Sequence, residues 1–106
     1  MGLIKPNNYS GNELKFDAVS KAVSHPARSR IIDLLVDYTF VRNIDLSGYL
    51  NLSPAMVTKH LDYLKRAGVI CCDYQIHYDI LRLNQETLDY YFTEIEKWKD
   101  GKRRLK

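Results

Sequence analysis

The sequence predicts a mainly α fold with a small β-hairpin, arranged as a winged helix-turn-helix of about five helices with a two-stranded antiparallel wing. Three observations predict it. Two short helical patterns meet at a sharp turn signal inside Asp45–Leu61. The second of them opens on Ser53-Pro54 and runs as an amphipathic helix. Two strand-like runs then follow a helix-ending Gly68.

Taken in chain order, residues 1–11 read as a loose leader, with Pro6-Asn7-Asn8-Tyr9-Ser10-Gly11 lacking any apolar period. A first helix is expected over 12–23, with Phe16, Val19 and Val23 on one face and Leu14, Ala18 and Ala22 on another. Two apolar faces imply contact with more than its own core. Ser24-His25-Pro26 resets the chain, and a second helix from Pro26 to about Asp37 offers Ile31, Ile32, Leu34 and Leu35 for burial. The helix ending near Leu50 must reverse at Asn51, a residue type that tolerates the left-handed conformation at helix ends. Ser53 supplies an N-cap hydroxyl, and Pro54 takes the first helical position, where its missing N–H costs nothing.

Within the helix that follows, Val57, Leu61 and Leu64 recur at helical spacing and face the core. Ala55, Thr58, Lys59, Asp62, Lys65 and Arg66 then face outward. A helix held by its back, with small, polar and basic residues in front, is what insertion into a DNA major groove requires. Gly68 ends it. Val69–Asp73 and His77–Leu83 form the hairpin, joined through Tyr74-Gln75-Ile76; with no glycine there, the turn type stays open. A last helix over 85–100 carries the stripe Leu88, Tyr91, Phe92, Ile95 and Trp98.

Three segments carry a resemblance. Lys21–Leu35, Leu52–Leu61 and Leu64–Ile70, closed by Leu81-Arg82-Leu83-Asn84, together resemble ArsR/SmtB-type regulators over roughly residues 14–95. The resemblance implies a sequence-specific DNA-binding transcriptional regulator, a homodimeric repressor whose two recognition helices read a pseudo-palindromic operator in double-stranded DNA. DNA contacts are then expected from Ser53, Ala55, Met56, Thr58, Lys59, His60, Lys65 and Arg66, and from Tyr74 and Gln75 at the wing tip. Phe16, Val19, Leu88, Tyr91, Phe92, Ile95 and Trp98 are expected at the two-fold interface.

The metal positions of such regulators are empty here. Where relatives carry Cys-x-Cys before the turn, Asn43–Ser47 has neither Cys nor His. The last helix offers Glu86, Asp89, Glu94 and Glu96 but no histidine. Cys71 and Cys72 are adjacent, and neighbours on a strand point to opposite faces, so they do not clamp one ion. They admit a redox switch at whichever faces solvent, or a buried small hydrophobe beside an idle thiol. No metal and no cofactor is therefore expected. The signal is a small molecule or a redox change that the sequence does not name.

His25 caps or packs beside Pro26, and His77 lies in the hairpin. His60 suits helix packing, a phosphate contact or a base contact equally. No Ser/His/Asp set, carboxylate pair or glycine-rich phosphate loop stands out, so an enzyme is not expected.

Composition fits one domain over 1–106: 45% hydrophobic and 11% aromatic residues are too many for a disordered chain. No apolar run approaches a membrane span, and the first residues lack a signal-peptide core, which implies a cytoplasmic location. The net charge of +3 is uneven. Residues 97–106 form a basic tail with six Lys or Arg against Asp100, leaving ten basic and twelve acidic residues in 1–96. In the hairpin, Asp73 and Asp79 outnumber Arg82. That argues against a cationic wing buried in a minor groove, and it supports a second reading: a winged-helix protein-interaction module without DNA binding.

Overall fold

In the computed structural model, which describes residues 9–100, five helices surround a three-stranded antiparallel sheet. The order is α1 (Gly11–Val23), α2 (Pro26–Asp37), β1 (Val41–Arg42), α3 (Leu46–Leu50), α4 (Pro54–Arg66), β2 (Ile70–Tyr74), β3 (Asp79–Leu83) and α5 (Gln85–Lys99), with a 3₁₀ turn at Asn43–Asp45 leading into α3. Much of the expected basic tail, and the leader up to residue 8, lie outside the described residues. Among the described residues, no helix is long and apolar enough to cross a membrane.

One expected boundary shifts by a residue, and one strand is added to the expected hairpin. The leader ends earlier than the sequence suggested, because Ser10 and Glu13 form a reciprocal capping box. The Glu13 N–H donates to Ser10 Oγ, and the Ser10 N–H donates to Glu13 Oε1, each at 3.1 Å. Two orphan donors are satisfied at once, and the helix starts at Gly11. The antiparallel hairpin expected as the wing is present as β2 and β3. β1 adds a third strand in the order β1-β3-β2, with Val41 opposite Leu81 and Arg42 opposite Ile80. An isolated hairpin is marginal in water, and a third strand with an apolar face makes it stable.

The hairpin register sets Ile70 opposite Leu83 and Cys72 opposite Leu81, so Ile70 and Leu81 bury on the inner face. Cys71, opposite Arg82, points outward. The turn is closed by the Gln75 N–H donating to Tyr78 O at 2.9 Å. Asn51 and Gly68 alone have positive φ among the described residues, so this turn is not of the primed types that usually join two strands.

The core is one cluster. Val19 and Ala22 of α1, Ile31 and Leu35 of α2, Leu46 and Leu50 of α3, and Val57, Leu61 and Leu64 of α4 meet Val41, Val69, Ile70, Leu81 and Leu88. Val19 and Leu88, expected at a subunit interface, are therefore core residues of their own chain. Their helices turn those positions inward, and the neighbouring turns keep the outward face.

The reversal between α3 and α4 is set by Asn51, at φ 54° and ψ 47°. Its N–H and that of Leu52 both donate to Ser47 O, and the Ser47 hydroxyl donates to Leu52 O. An L-residue with a Cβ and no local hydrogen-bonding side chain pays for that conformation. Asn51→Ala is expected to lower the unfolding free energy by about 1–2 kcal/mol, with Asn51→Gly close to unchanged. Urea titration of the two variants checks it.

Candidate nucleic-acid interface

Both ends of α4 are fixed by the sequence. Ser53 Oγ accepts the Met56 N–H at 3.2 Å, and Pro54 occupies the first turn. At the other end Gly68, at φ 75°, completes a Schellman motif: Val69 N–H donates to Leu64 O at 2.9 Å and Gly68 N–H to Lys65 O at 3.0 Å. Lys65 and Arg66 lie in the last turn, where the helix dipole favours cations.

Between these ends the helix is sharply two-faced. Val57, His60, Leu61 and Leu64 are buried, while Ala55, Met56, Thr58, Lys59 and Arg66 are exposed. The exposed row is the surface expected from the sequence, with three refinements. The Thr58 hydroxyl donates to Pro54 O at 3.0 Å, so what it presents outward is a methyl group and an acceptor. Ser53 Oγ is engaged as the cap. The Lys65 ammonium lies 5.7 Å from the Tyr74 ring, tying the end of α4 to the wing.

Of the three roles left open for His60, its burial favours packing over the DNA contact expected of it. It is 7% exposed, on the back of α4, with its ring 4.5 Å from that of His25. It packs the helix against the α1–α2 corner, away from the exposed row. His25 caps α2 there, Nδ1 accepting the Ala27 N–H at 3.0 Å. Beside them Arg28 is 8% exposed: one guanidinium nitrogen donates to Lys21 O at 3.4 Å, and its carbon lies 4.2 Å from the Tyr63 ring. The carbonyl end of α1 and the π face of Tyr63 offset the burial of that charge. Arg28 Nε and His60 Nδ1 are buried without a hydrogen-bond partner.

At the wing, Tyr74 and Gln75 are exposed as expected. Sequence reasoning missed Ile76, 92% exposed at the apex. An isoleucine flanked by no turn-forming residue was the signal available. Arg82 pairs with Asp73 across the strands, and Arg42 forms a bidentate pair with Asp45 at 2.9 and 3.0 Å, so both wing-side arginines are neutralised locally. That pairing raises the Arg42 pKa further above its ordinary value. Burial pushes the Cys72 thiol up, which Asp79 reinforces and Lys65 opposes. A protonated thiol is a poor nucleophile. Cys71 is the exposed one. Among the described residues, no three His, Cys, Asp or Glu side chains gather as a metal site.

On α1 and α5, Phe16 stacks on Tyr91 at 5.1 Å and meets Trp98 edge-on at 5.0 Å. Asn12 Nδ2 donates to Glu94 Oε1 at 2.8 Å, Lys97 pairs with Glu94 Oε2 at 2.7 Å, and Tyr90 Oη donates to Asn12 O at 2.8 Å. The two helices are thus bound to each other within one chain. Phe92 (53%), Ile95 (37%) and Trp98 (56%) still carry apolar surface outward.

A half-buried, capped helix following a tight turn and leading into a sheet-borne wing is the winged helix-turn-helix fold, and solved structures of ArsR-type regulators share it. An ArsR-like transcriptional regulator from Rhodococcus sp. RHA1 superimposes with a TM-score of 0.76 at 20% identity, covering 87% of this chain and 86% of that one. HlyU from Vibrio cholerae gives 0.66 at 22% identity, over 81% of this chain and 95% of its own. NolR from Sinorhizobium fredii gives 0.64 at 17% identity, over 91% and 95%. No protein-family model and no curated protein matches the sequence itself, so at these identities the likeness establishes the fold.

The buried imidazole has a consequence for stability. Burial lowers the His60 pKa, and the neighbouring His25, Arg28 and Lys59 lower it further. Below the unfolded value of about 6.5 the unfolded chain then binds more protons than the folded one. Stability is full above about pH 6.5 and falls as the pH drops toward the folded value. Urea unfolding at about pH 7.5 and about pH 5 is expected to show a loss that is smaller in His60→Leu. An identical loss in both proteins would remove His60 as its source.

Proposed function

We propose that the chain is a cytoplasmic, homodimeric, sequence-specific DNA-binding transcriptional regulator, a repressor of the ArsR-like type whose signal is not a metal. The observation that carries it is the two-sidedness of α4: four side chains of its back face are buried, and Ala55, Met56, Thr58 and Lys59 are left along its front. Ala55, Met56 and the Thr58 methyl suit thymine methyl groups, and the Thr58 oxygen suits a base N–H. Lys59, Arg66 and Lys65 supply phosphate contacts. Tyr74 and Gln75 meet the flanking groove from the wing.

The outward surface of Phe92, Ile95 and Trp98, beside Phe16 and Tyr91, serves as the two-fold interface. Two chains place two copies of α4 on successive major-groove faces, so the operator is a pseudo-palindrome. The wing's paired arginines keep its contribution modest. If that surface and the apolar start of α4 instead engage a protein, the module is an interaction domain, and salt separates the two readings.

Fluorescence anisotropy with the chain's own upstream DNA, at about 50 and about 200 mM salt, is expected to show saturable binding that weakens steeply with salt. Lys59→Ala should weaken it and lower the salt slope by about 1. Salt-insensitive or absent binding to every tested duplex would favour the interaction module. Phe92→Asp, an exposed substitution, is expected to give monomers by sedimentation and to abolish tight operator binding while leaving the circular dichroism spectrum intact.

A further inference from the structure

A cleft of about 200 Å³ opens where the chain leaves α2, lined by Tyr38, Phe40, Val41, Arg42, Asp45 and Tyr49. Neither the recognition helix nor the α1–α5 surface uses it. Tyr38, Phe40 and Tyr49 are all more than half exposed, at 56%, 56% and 62%. Three large aromatic side chains thus edge one small concavity and hold apolar surface in water there. Val41 supplies a buried apolar floor and the Arg42–Asp45 pair a polar one.

The chemistry of the lining narrows the occupant. Arg42 is already neutralised by both carboxylate oxygens of Asp45, so an anion gains no free cation here. Asp45 is the cleft's one carboxylate and is held by the guanidinium, so a metal ion has no ligand set. Each Asp45 oxygen still has acceptor capacity beyond the arginine, enough for an O–H or N–H donor. Aromatic walls favour a flat ring that stacks or meets them edge-on. A volume of about 200 Å³ suits one or two fused rings.

We propose that this cleft binds a neutral, planar aromatic small molecule carrying a hydroxyl or N–H donor for Asp45, and that it is an effector site. The effector role rests on the DNA-binding reading above. Its physical basis is position. Val41 and Arg42 pair with Leu81 and Ile80 of the wing strand β3, whereas Asp45 and Tyr49 belong to the turn and helix that precede Asn51. A ring wedged between them touches both the wing's supporting strand and the first helix of the helix-turn-helix, and so biases their relative placement.

The test uses 2-naphthol as probe and the intact protein free in solution, with NMR signals of the tyrosine and phenylalanine rings as readout. Saturable shifts centred on Tyr38, Phe40 and Tyr49 are expected, with affinity reduced about tenfold in Phe40→Ala and in Tyr49→Ala. Two controls share the probe's size: 2-decalol, which is not planar, and 2-naphthoate, which is charged. Each is expected to bind about tenfold more weakly. No saturable shift, equal binding of 2-decalol, tighter binding of 2-naphthoate, or shifts centred on Phe92 and Trp98 would each overturn the site. Operator affinity is then measured with the cleft saturated. A change of about threefold or more, absent in Tyr49→Ala, supports the effector role, and an unchanged affinity overturns it. Because the probe titration needs no DNA, a failure of DNA binding leaves its result intact.

Discussion

The structure depends on the burial of one side of α4. A 13-residue helix is marginal by itself in water, so α4 exists because α1, α2, α3 and β2 pack against it. Val57, Leu61 and Leu64 each contribute roughly 1.5–3 kcal/mol on burial, and a helix docked on three such residues has its rotation fixed. Fixing the back fixes the front. The direction in which Thr58 and Lys59 project is inherited from the core and does not have to be set by their own contacts.

That docking contains two polar intruders, and their arrangement explains why it still holds. Arg28 is buried between the end of α1 and Tyr63 of α4, so it joins three helices through a carbonyl and a ring without a carboxylate partner. Burial and then the neighbouring His25, Arg28 and Lys59 disfavour a positive charge on His60 in the same corner, which lowers its pKa. The wing, in turn, hangs from β1: Asp79 N–H donates to Asn43 Oδ1 at 2.8 Å, and the Arg42 guanidinium lies 5.5 Å from the Tyr78 ring. The two residues of β1 thus couple the wing to the turn that leads into α3.

What was legible in the sequence was whatever is decided locally. Asn51, Ser53-Pro54 and Gly68 set α4 through their own backbone preferences, and the spacing of Val57, Leu61 and Leu64 needs no partner to be read. β1 was illegible because two residues have no period, and their pairing with β3 bridges almost forty positions. The Ser10–Glu13 capping box was readable from its spacing, but the polar, proline-bearing segment before it drew it into a leader. Val19 and Leu88 were assigned to an interface because an apolar position on a helix does not say whether it meets its own core or a partner. His60 was assigned to the DNA face because a polar ring on a helix suits either side. Only the third dimension assigns them.

Under the DNA-binding reading, the distribution of charge constrains how such a head would grip its operator. Affinity from counterion release scales with the number of phosphates neutralised. On this surface Arg82 is held by Asp73 and Arg42 by Asp45, while Lys65 lies over Tyr74. Lys59 and Arg66 remain on the exposed face of α4. A single head of this kind would offer few phosphate contacts and a weak grip. In the proposed dimer, two heads linked through α1 and α5 would double those contacts, and with them the salt slope. They would also make the second contact an intramolecular one. Under the same reading, the scarcity of cations would shift discrimination onto Ala55, Met56, the Thr58 methyl and Ile76, groups suited to methyls and groove shape. An apolar reading surface responds to small displacements, because van der Waals contact is lost within an ångström where a charge would still act at a distance. Under the DNA-binding reading, a slight displacement of the front of α4 would therefore change affinity, and β1, paired with β3 and leading into α3, is placed to transmit one.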